Sequence, residues 1–212
     1  MLSRKIKHSK NNKILDQFEN IFLDFDGVLF NSNFLKGKAI KYATNIDDNN
    51  ERRKLFINFF VENNGLPREL KIKKFYPKNY QSILERYNNK LSEIYGNAKL
   101  THSAYDFLEK YKQKNFFILS GGNLIEIKTL LHLNNLEKYF TKIFCAPELK
   151  EKILTNNKHN KSIFIGDSKV DYEAANKSNT PFILMTDYSD WKDWILYIST
   201  ETHVINNLSE LN

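Results

Sequence analysis

Residues 21–30 read IFLDFDGVLF, an apolar run broken near its middle by two carboxylates one residue apart and then by a glycine. No other segment restricts the fold as much. Apolar residues this dense describe a strand buried on both faces, as in a parallel sheet covered by helices. Carboxylates inside such a strand would cost roughly several kcal/mol unless paired. Asp24 and Asp26 therefore belong at its carboxyl end, beside something cationic, and a metal ion is the obvious partner. Side chains alternate along a strand, so the two acids project to one side while Phe25 enters the opposite layer. Gly27 lets the chain turn tightly before Val28, Leu29 and Phe30 return to apolar packing. A solvated turn at a strand end would use the same residue types, so the decision rests on the rest of the chain.

The same grammar recurs at 161–171, KSIFIGDSKVD, where Asp167 ends an apolar run and Asp171 follows four residues later. That interval suits a loop running into a helix, with Asp171 in its first turn. Between the two lies 114–122, KNFFILSGG, followed by an amphipathic stretch to Leu133. A strand, a glycine-rich turn and a helix N-terminus present free backbone N–H groups, which favour a phosphate. Strands alternating with helices predict an α/β fold: a Rossmann-like parallel sheet with its site at the strand carboxyl ends. Strands are expected at 21–24, 116–119, 142–144, 162–165, 182–184 and 203–205. The gap between the first two is too long for a crossover. Residues 33–97 show helical periodicity instead, with Leu55, Phe56, Phe59 and Phe60, then Ile83, Leu84, Tyr87 and Leu91, as apolar faces. Asn63, Asn64, Gly65 and Pro67 would divide this stretch into helical hairpins.

In this order the three acidic and glycine-rich strings resemble the signature motifs of the haloacid dehalogenase superfamily, a group of mostly Mg²⁺-dependent phosphohydrolases. Asp24 to Asp26 matches the first motif, Ser120 the second, and Gly166 to Asp171 the acidic fourth. The third element, a lone lysine, falls on Lys150, with Lys152 as its competitor. The resemblance implies a core of 19–32 and 98–212, a small all-α cap over 33–97, and a basic N-terminal segment over 1–18. It also implies roles. Asp24 would be the nucleophile and Asp26 the general acid and base. Ser120, the N–H of Gly121 and Lys150 would bind the phosphoryl oxygens. Mg²⁺ would sit between Asp24, the backbone carbonyl of Asp26 and Asp167, with Asp171 holding its waters. Dehalogenases of this superfamily lack the second aspartate, so Asp26 points to phosphate esters. The second motif departs from the family's commonest pattern, with glycine where asparagine usually follows.

Within the cap, GLPRELK at 65–71 places Arg68 and Lys71 three apart on a new helix, where both could reach an anionic substrate. It resembles a family cap segment in which serine stands at the position of Pro67, and proline suits a first helical turn. The formal charge of +7 includes Arg4, Lys5, Lys7, Lys10 and Lys13, which leaves only about +2 for the remainder. No arginine-rich stripe interleaved with aromatics follows, so a nucleic-acid partner is not expected. Cys145 is the only cysteine and no long apolar run occurs, so a cytoplasmic protein without a membrane partner is expected. Asparagine pairs at 49–50 and 156–157 read as loops, and Trp191 with Trp194 as anchors of a late helix.

The activity expected is Mg²⁺-dependent hydrolysis of a small phosphorylated metabolite, such as a sugar phosphate, through an aspartyl phosphate. Two alternatives stand beside it. A phosphosugar mutase would use the same residues, and a non-catalytic phosphometabolite-binding module would use the same scaffold.

Overall fold

The apolar runs that end in acids or glycines become neighbouring strands, and their order fixes where the acids meet. The computed structural model describes residues 14–47, 49–157 and 161–212. In chain order its elements are β1 (Asn20–Leu23), β2 (Phe30–Asn31), α1 (Asn33–Ala43), α2 (Asn50–Glu62), α3 (Arg68–Phe75), α4 (Tyr80–Ile94) and β3 (Lys99–Leu100). Then follow α5 (Ala104–Lys110), β4 (Asn115–Leu119), α6 (Leu124–Leu133), β5 (Phe140–Phe144), α7 (Lys150–Asn157), β6 (Ser162–Gly166), α8 (Lys169–Lys177), β7 (Phe182–Met185) and β8 (His203–Ile205). Six strands form one sheet in the order β5-β4-β1-β6-β7-β8, and every pairing in it is parallel.

Strand β1 lies at the centre, paired in register with β4 on one side and β6 on the other. From β1 the chain builds outward through β4 and β5, then crosses back to add β6, β7 and β8. Loops leaving β1 and its neighbours diverge at such a reversal and leave a crevice outside the strand carboxyl ends. Asp24 stands one residue past the end of β1, at that crevice. Ile21, Phe22 and Leu23 are fully buried, and burying each contributes roughly 1.5–3 kcal/mol. Phe22 stacks on Phe117 of β4 with ring centroids 4.9 Å apart. The loop that carries the acids thus starts from a tightly packed strand.

Helices α1 to α4 form the all-α cap inserted between β1 and β4. Phe56, Phe60, Ile72, Ile83, Tyr87 and Leu91 face inward and are buried, while Phe56 touches the rings of Phe60, Phe75 and Tyr76 at 5.0–5.7 Å. Leu55, expected on this face, is instead 65 % exposed, and Phe59 is only half-buried. The helix turns its 56/60 stripe inward, and the residue before each member of that stripe rotates towards solvent. Two short strands, β2 and β3, were not anticipated. They pair antiparallel, Phe30 with Leu100 and Asn31 with Lys99, and so tie together the chain leaving for the cap and the chain returning from it.

Three smaller expectations change. Asn156 and Asn157 complete the last turn of α7 and form no loop, with the Asn157 side chain donating to the Ile153 carbonyl at 2.8 Å. Asn49 caps α2 and Asn50 begins it. Trp191 is buried, but Trp194 belongs only to a short 3-10 turn, Trp194–Leu196, and no late helix forms there. The basic residues at 4–13 lie outside the described residues. Among the described residues no helix is long and apolar enough to cross a membrane.

Candidate active site

Two connections leaving adjacent strands bring the acids together. Asp24 follows β1, Asp167 follows β6, and Asp171 is the third residue of α8. Each can offer a carboxylate oxygen within 4.8 Å of the others, and all three are buried. Helix α8 starts here because Ser168 caps it. The Ser168 hydroxyl accepts from the Asp171 N–H at 3.2 Å, and Asp171 Oδ2 accepts from the Ser168 N–H at 3.0 Å and from its hydroxyl at 2.6 Å. This reciprocal cap holds Asp171 in one rotamer. Gly27 has φ +87°, and a Cβ built there would fall 2.1 Å from Asp167 Oδ2. Only glycine fits that turn.

Among the described residues one ammonium faces these three carboxylates. Lys150, the first residue of α7, is buried and reaches Asp24 Oδ1 at 2.8 Å and Asp171 Oδ1 at 2.6 Å. Lys152 points to solvent. The balance stays negative. Burial, Asp171 and Asp26 push Asp24 up to about 7 against the pull of Lys150. Asp167 is raised well above the usual carboxylate range by burial, Asp24 and Asp171. Its Oδ2 accepts from Asn33 Nδ2 at 2.9 Å, while its Oδ1 is buried and has no hydrogen-bond partner among the described residues. An orphaned oxygen within an all-carboxylate set is the environment of a hard divalent cation. Asp24, Asp167 and Asp171 could hold one.

Asp26 goes elsewhere. Its side chain is outside the acidic cluster and enters a polar cage built by the two chain crossings into the cap. Oδ1 accepts from the Ser32 hydroxyl and from the Tyr95 phenol, each at 2.6 Å, and Oδ2 pairs with the buried ammonium of Lys36. Burial would raise its pKa, but Lys36, Ser32 and Tyr95 together lower it below the ordinary carboxylate value. Tyr95 is in turn raised well above the usual phenol range by burial and by Asp26. The carboxylate still faces the glycine-rich loop: a Cβ on Gly122 would lie 3.8 Å from Asp26 Oδ2 and 3.1 Å from Ser120 Oγ. Ser120 Oγ accepts from the Gly122 N–H at 2.9 Å, which curls the loop just before Asn123 caps α6.

The cap is seated on this loop. A Cβ on Gly121 would come within 2.5 Å of the Gly65 carbonyl oxygen, and a Cβ on Gly65 within 2.7 Å of Val170. The Arg68 and Lys71 side chains point apart. Arg68 makes a bidentate ion pair with Glu126 of α6, donates to Asn88 at 2.8 Å, and lies over the Tyr87 ring at 5.0 Å. Burial opposes its charge, but Tyr87 and Glu126 more than offset this and hold it firmly protonated. Lys71 turns the other way, is buried, and donates to the Phe60 carbonyl at 2.9 Å. Burial, Lys36 and Arg68 push its pKa well down. Beside the glycine-rich loop, Arg68, Asn88, Gly121 and Gly122 line a cavity of about 350 Å³.

Sequence reading missed Ser32, Asn33, Lys36, Tyr95 and Glu126. A signal existed for two of them. Lys36 lies within the buried stripe Leu35, Ala39, Ile40 and Ala43 of α1, and a lysine on an apolar face must have a buried anion to meet. Tyr95 extends the four-residue spacing of Ile83, Tyr87 and Leu91.

The sequence matches the haloacid dehalogenase-like hydrolase family over residues 21–185, and the chain belongs to that family. Its fold is similar to that of a predicted phosphatase from Clostridium acetobutylicum, at 20 % identity and a TM-score of 0.73 over 92 % of this chain and 96 % of that one. CbbY from Rhodobacter sphaeroides, solved with phosphate, shares it at 14 % identity, TM-score 0.68, with 92 % and 96 % covered. So does the HAD-hydrolase YfnB from Bacillus subtilis, solved with magnesium, at 18 % identity, TM-score 0.65, with 92 % and 96 % covered. No curated protein matches the sequence. Family, fold and aspartate cluster together make this an enzyme of the phosphatase-like hydrolase type.

Proposed function

We propose that the protein is a Mg²⁺-dependent phosphomonoesterase that hydrolyses a small phosphorylated metabolite through an aspartyl phosphate. The observation that carries this reading is the charge imbalance at Asp24, Asp167 and Asp171, three buried carboxylates within 4.8 Å that, among the described residues, face Lys150 alone. Mg²⁺ held by Asp24, Asp167 and the Asp26 carbonyl, with Asp171 nearby, would neutralise the cluster and the phosphoryl oxygens.

Asp24 is the nucleophile. Both of its hydrogen-bonded partners, the Phe25 N–H at 2.7 Å and Lys150 at 2.8 Å, fall on Oδ1, and Oδ2 is the oxygen that attacks. A P–O bond forms to Asp24 while the bond to the leaving oxygen breaks, and Asp26 gives that oxygen a proton. Water then attacks the aspartyl phosphate, Asp26 takes its proton, and inorganic phosphate leaves with Asp24 restored. Lys36 favours the ionised form of Asp26, which suits the second step. For the first step, the negative phosphoryl group of the substrate raises the proton affinity of Asp26. Ser120, the Gly121 N–H and Lys150 position the phosphoryl oxygens, and positioning of this kind supplies much of the catalysis in phosphoryl transfer.

The cavity of about 350 Å³ beside Gly121 and Gly122 takes the rest of the substrate, and its volume favours a small one. Arg68 would meet that part while Glu126 holds its guanidinium in place. Lys71 would support this wall of the cleft from its seat on the Phe60 carbonyl. A phosphosugar mutase would use the same groups, and phosphate release without a bisphosphate activator distinguishes the two. The primary test is hydrolysis of p-nitrophenyl phosphate with and without Mg²⁺. Asp24→Asn is expected to lower Mg²⁺-dependent turnover by about 10³-fold or more. An unchanged rate would leave only the binding-module alternative.

A further inference from the structure

Both crossings between core and cap place a hydroxyl on one oxygen of Asp26. Ser32 ends the outgoing crossing and Tyr95 begins the returning one, and each donates to Asp26 Oδ1 at 2.6 Å. They arrive there independently. Ser32 is set by the turn after β2, whereas Tyr95 continues the buried face of α4 and is itself only 4 % exposed. The β2–β3 pairing then locks the two crossings side by side. The phenol is consequently the one contact on Oδ1 whose place depends on how the long cap helix is seated.

We propose that Tyr95 is a positioning residue, which orients the Asp26 carboxyl for proton transfer to the leaving oxygen only when the cap is seated. A carboxyl group transfers a proton efficiently when it is held within hydrogen-bond reach of the leaving oxygen. With Ser32 alone on Oδ1 and Lys36 on Oδ2, each oxygen has one donor and the carboxylate plane can tilt about the line joining them. With two donors converging on Oδ1 and Lys36 on Oδ2, its plane is fixed, and Oδ2 is kept towards Gly122 and the phosphoryl position. The cap thus supplies the second donor that aligns the proton-transfer group, in addition to covering the cleft.

This inference rests on the phosphatase reading above, and its test separates the two. Tyr95→Phe keeps the ring in its packing and removes only the hydroxyl. The measurement is kcat/KM for p-nitrophenyl phosphate and phenyl phosphate, which reports the step up to departure of the phenol. Nitrophenolate leaves without a proton and phenolate far less readily, so loss of aligned proton donation acts selectively on phenyl phosphate. Tyr95→Phe is expected to lower kcat/KM about tenfold for phenyl phosphate and by a much smaller factor for p-nitrophenyl phosphate. Ser32→Ala should change the ratio in the same direction and provides a second route to it should Tyr95→Phe fold poorly. Equal losses on both esters, or none, in both variants would overturn the inference while Asp24→Asn remains inactive. Retained activity in Asp24→Asn would instead refute the phosphatase reading itself.

Discussion

The two halves of the cleft handle buried charge in opposite ways. On the core side, among the described residues, Asp24, Asp167 and Asp171 share the single ammonium of Lys150, and an oxygen of Asp167 is left without a partner. On the cap side each acid has its own cation: Asp26 has Lys36, and Glu126 of α6 has Arg68. An isolated buried ion is costly, and a matched pair recovers most of that cost. The cap-side groups are thus complete as they stand. The core-side groups are stable together only if they take up protons or a cation. The difference indicates where the protein reserves binding energy: the core for an ion and a phosphoryl group, the cap for holding its own geometry.

The sharpest way to break this comparison is to remove one lysine from each side. Lys150→Met and Lys36→Met should each cost about 3–5 kcal/mol of metal-free stability in urea, because each strands a buried carboxylate. Added Mg²⁺ should then divide them. It should recover much of the loss in Lys150→Met and leave the Lys36→Met deficit untouched, since the Asp26 side chain lies outside the acidic cluster. Equal rescue of both variants would refute the division.

A smaller effect follows from the raised pKa of Asp24, at about 7, and of Asp167. Between the unfolded value near 4 and the folded value, the native state binds more protons than the unfolded chain. Its stability therefore falls as pH rises through that window. Without metal the Asp24 contribution should be present at about pH 4 and lost as pH rises through about 7, by roughly a few kcal/mol, and Asp167 adds to it in the same direction. Mg²⁺ competes with those protons, so the rise in thermal midpoint on adding it should grow from about pH 5 to about pH 8. A Mg²⁺ shift independent of pH would mean that the cation binds away from these aspartates.

The smallest expected effect concerns the cap–core ion pair. Glu126→Gln removes the charge but keeps the shape, and at this partly exposed site it should cost only about 1 kcal/mol of global stability. Its signature is local: faster amide exchange in α3, as the cap lifts more often from the glycine-rich loop. Unchanged exchange in α3 would show that the close approach of Gly65 to Gly121 and Val170 holds the cap without Arg68.

Much of the core was legible because its signals are short-range. Apolar runs ending in Asp24, Ser120 and Asp167 announce strands that deliver polar groups to one edge, and the position of Lys150 at the start of α7 follows from the turn before it. The cap was legible as helices but not as a surface. Leu55 and Phe59 belong to the same apolar cluster in sequence as Phe56 and Phe60, and only packing against Ile72, Tyr76 and Tyr87 decides which of them turn inward. Arg68 shows the same limit. Its spacing to Lys71 suggests a shared face, yet one side chain goes to α6 and the other to α2, because each follows the nearest uncompensated acceptor.

By itself, then, the chain determined an α/β core, its acidic strand ends and an inserted run of helices, since burial periodicity and strand-end chemistry depend on residues a few positions apart. Tertiary structure alone decided which cation neutralises which carboxylate. Lys36 meets Asp26 across 10 residues, Tyr95 meets it across 69, and Asn33 reaches Asp167 across 134. Coulomb and hydrogen-bond energies depend on distance in space and on the dielectric around the pair, and sequence separation carries neither.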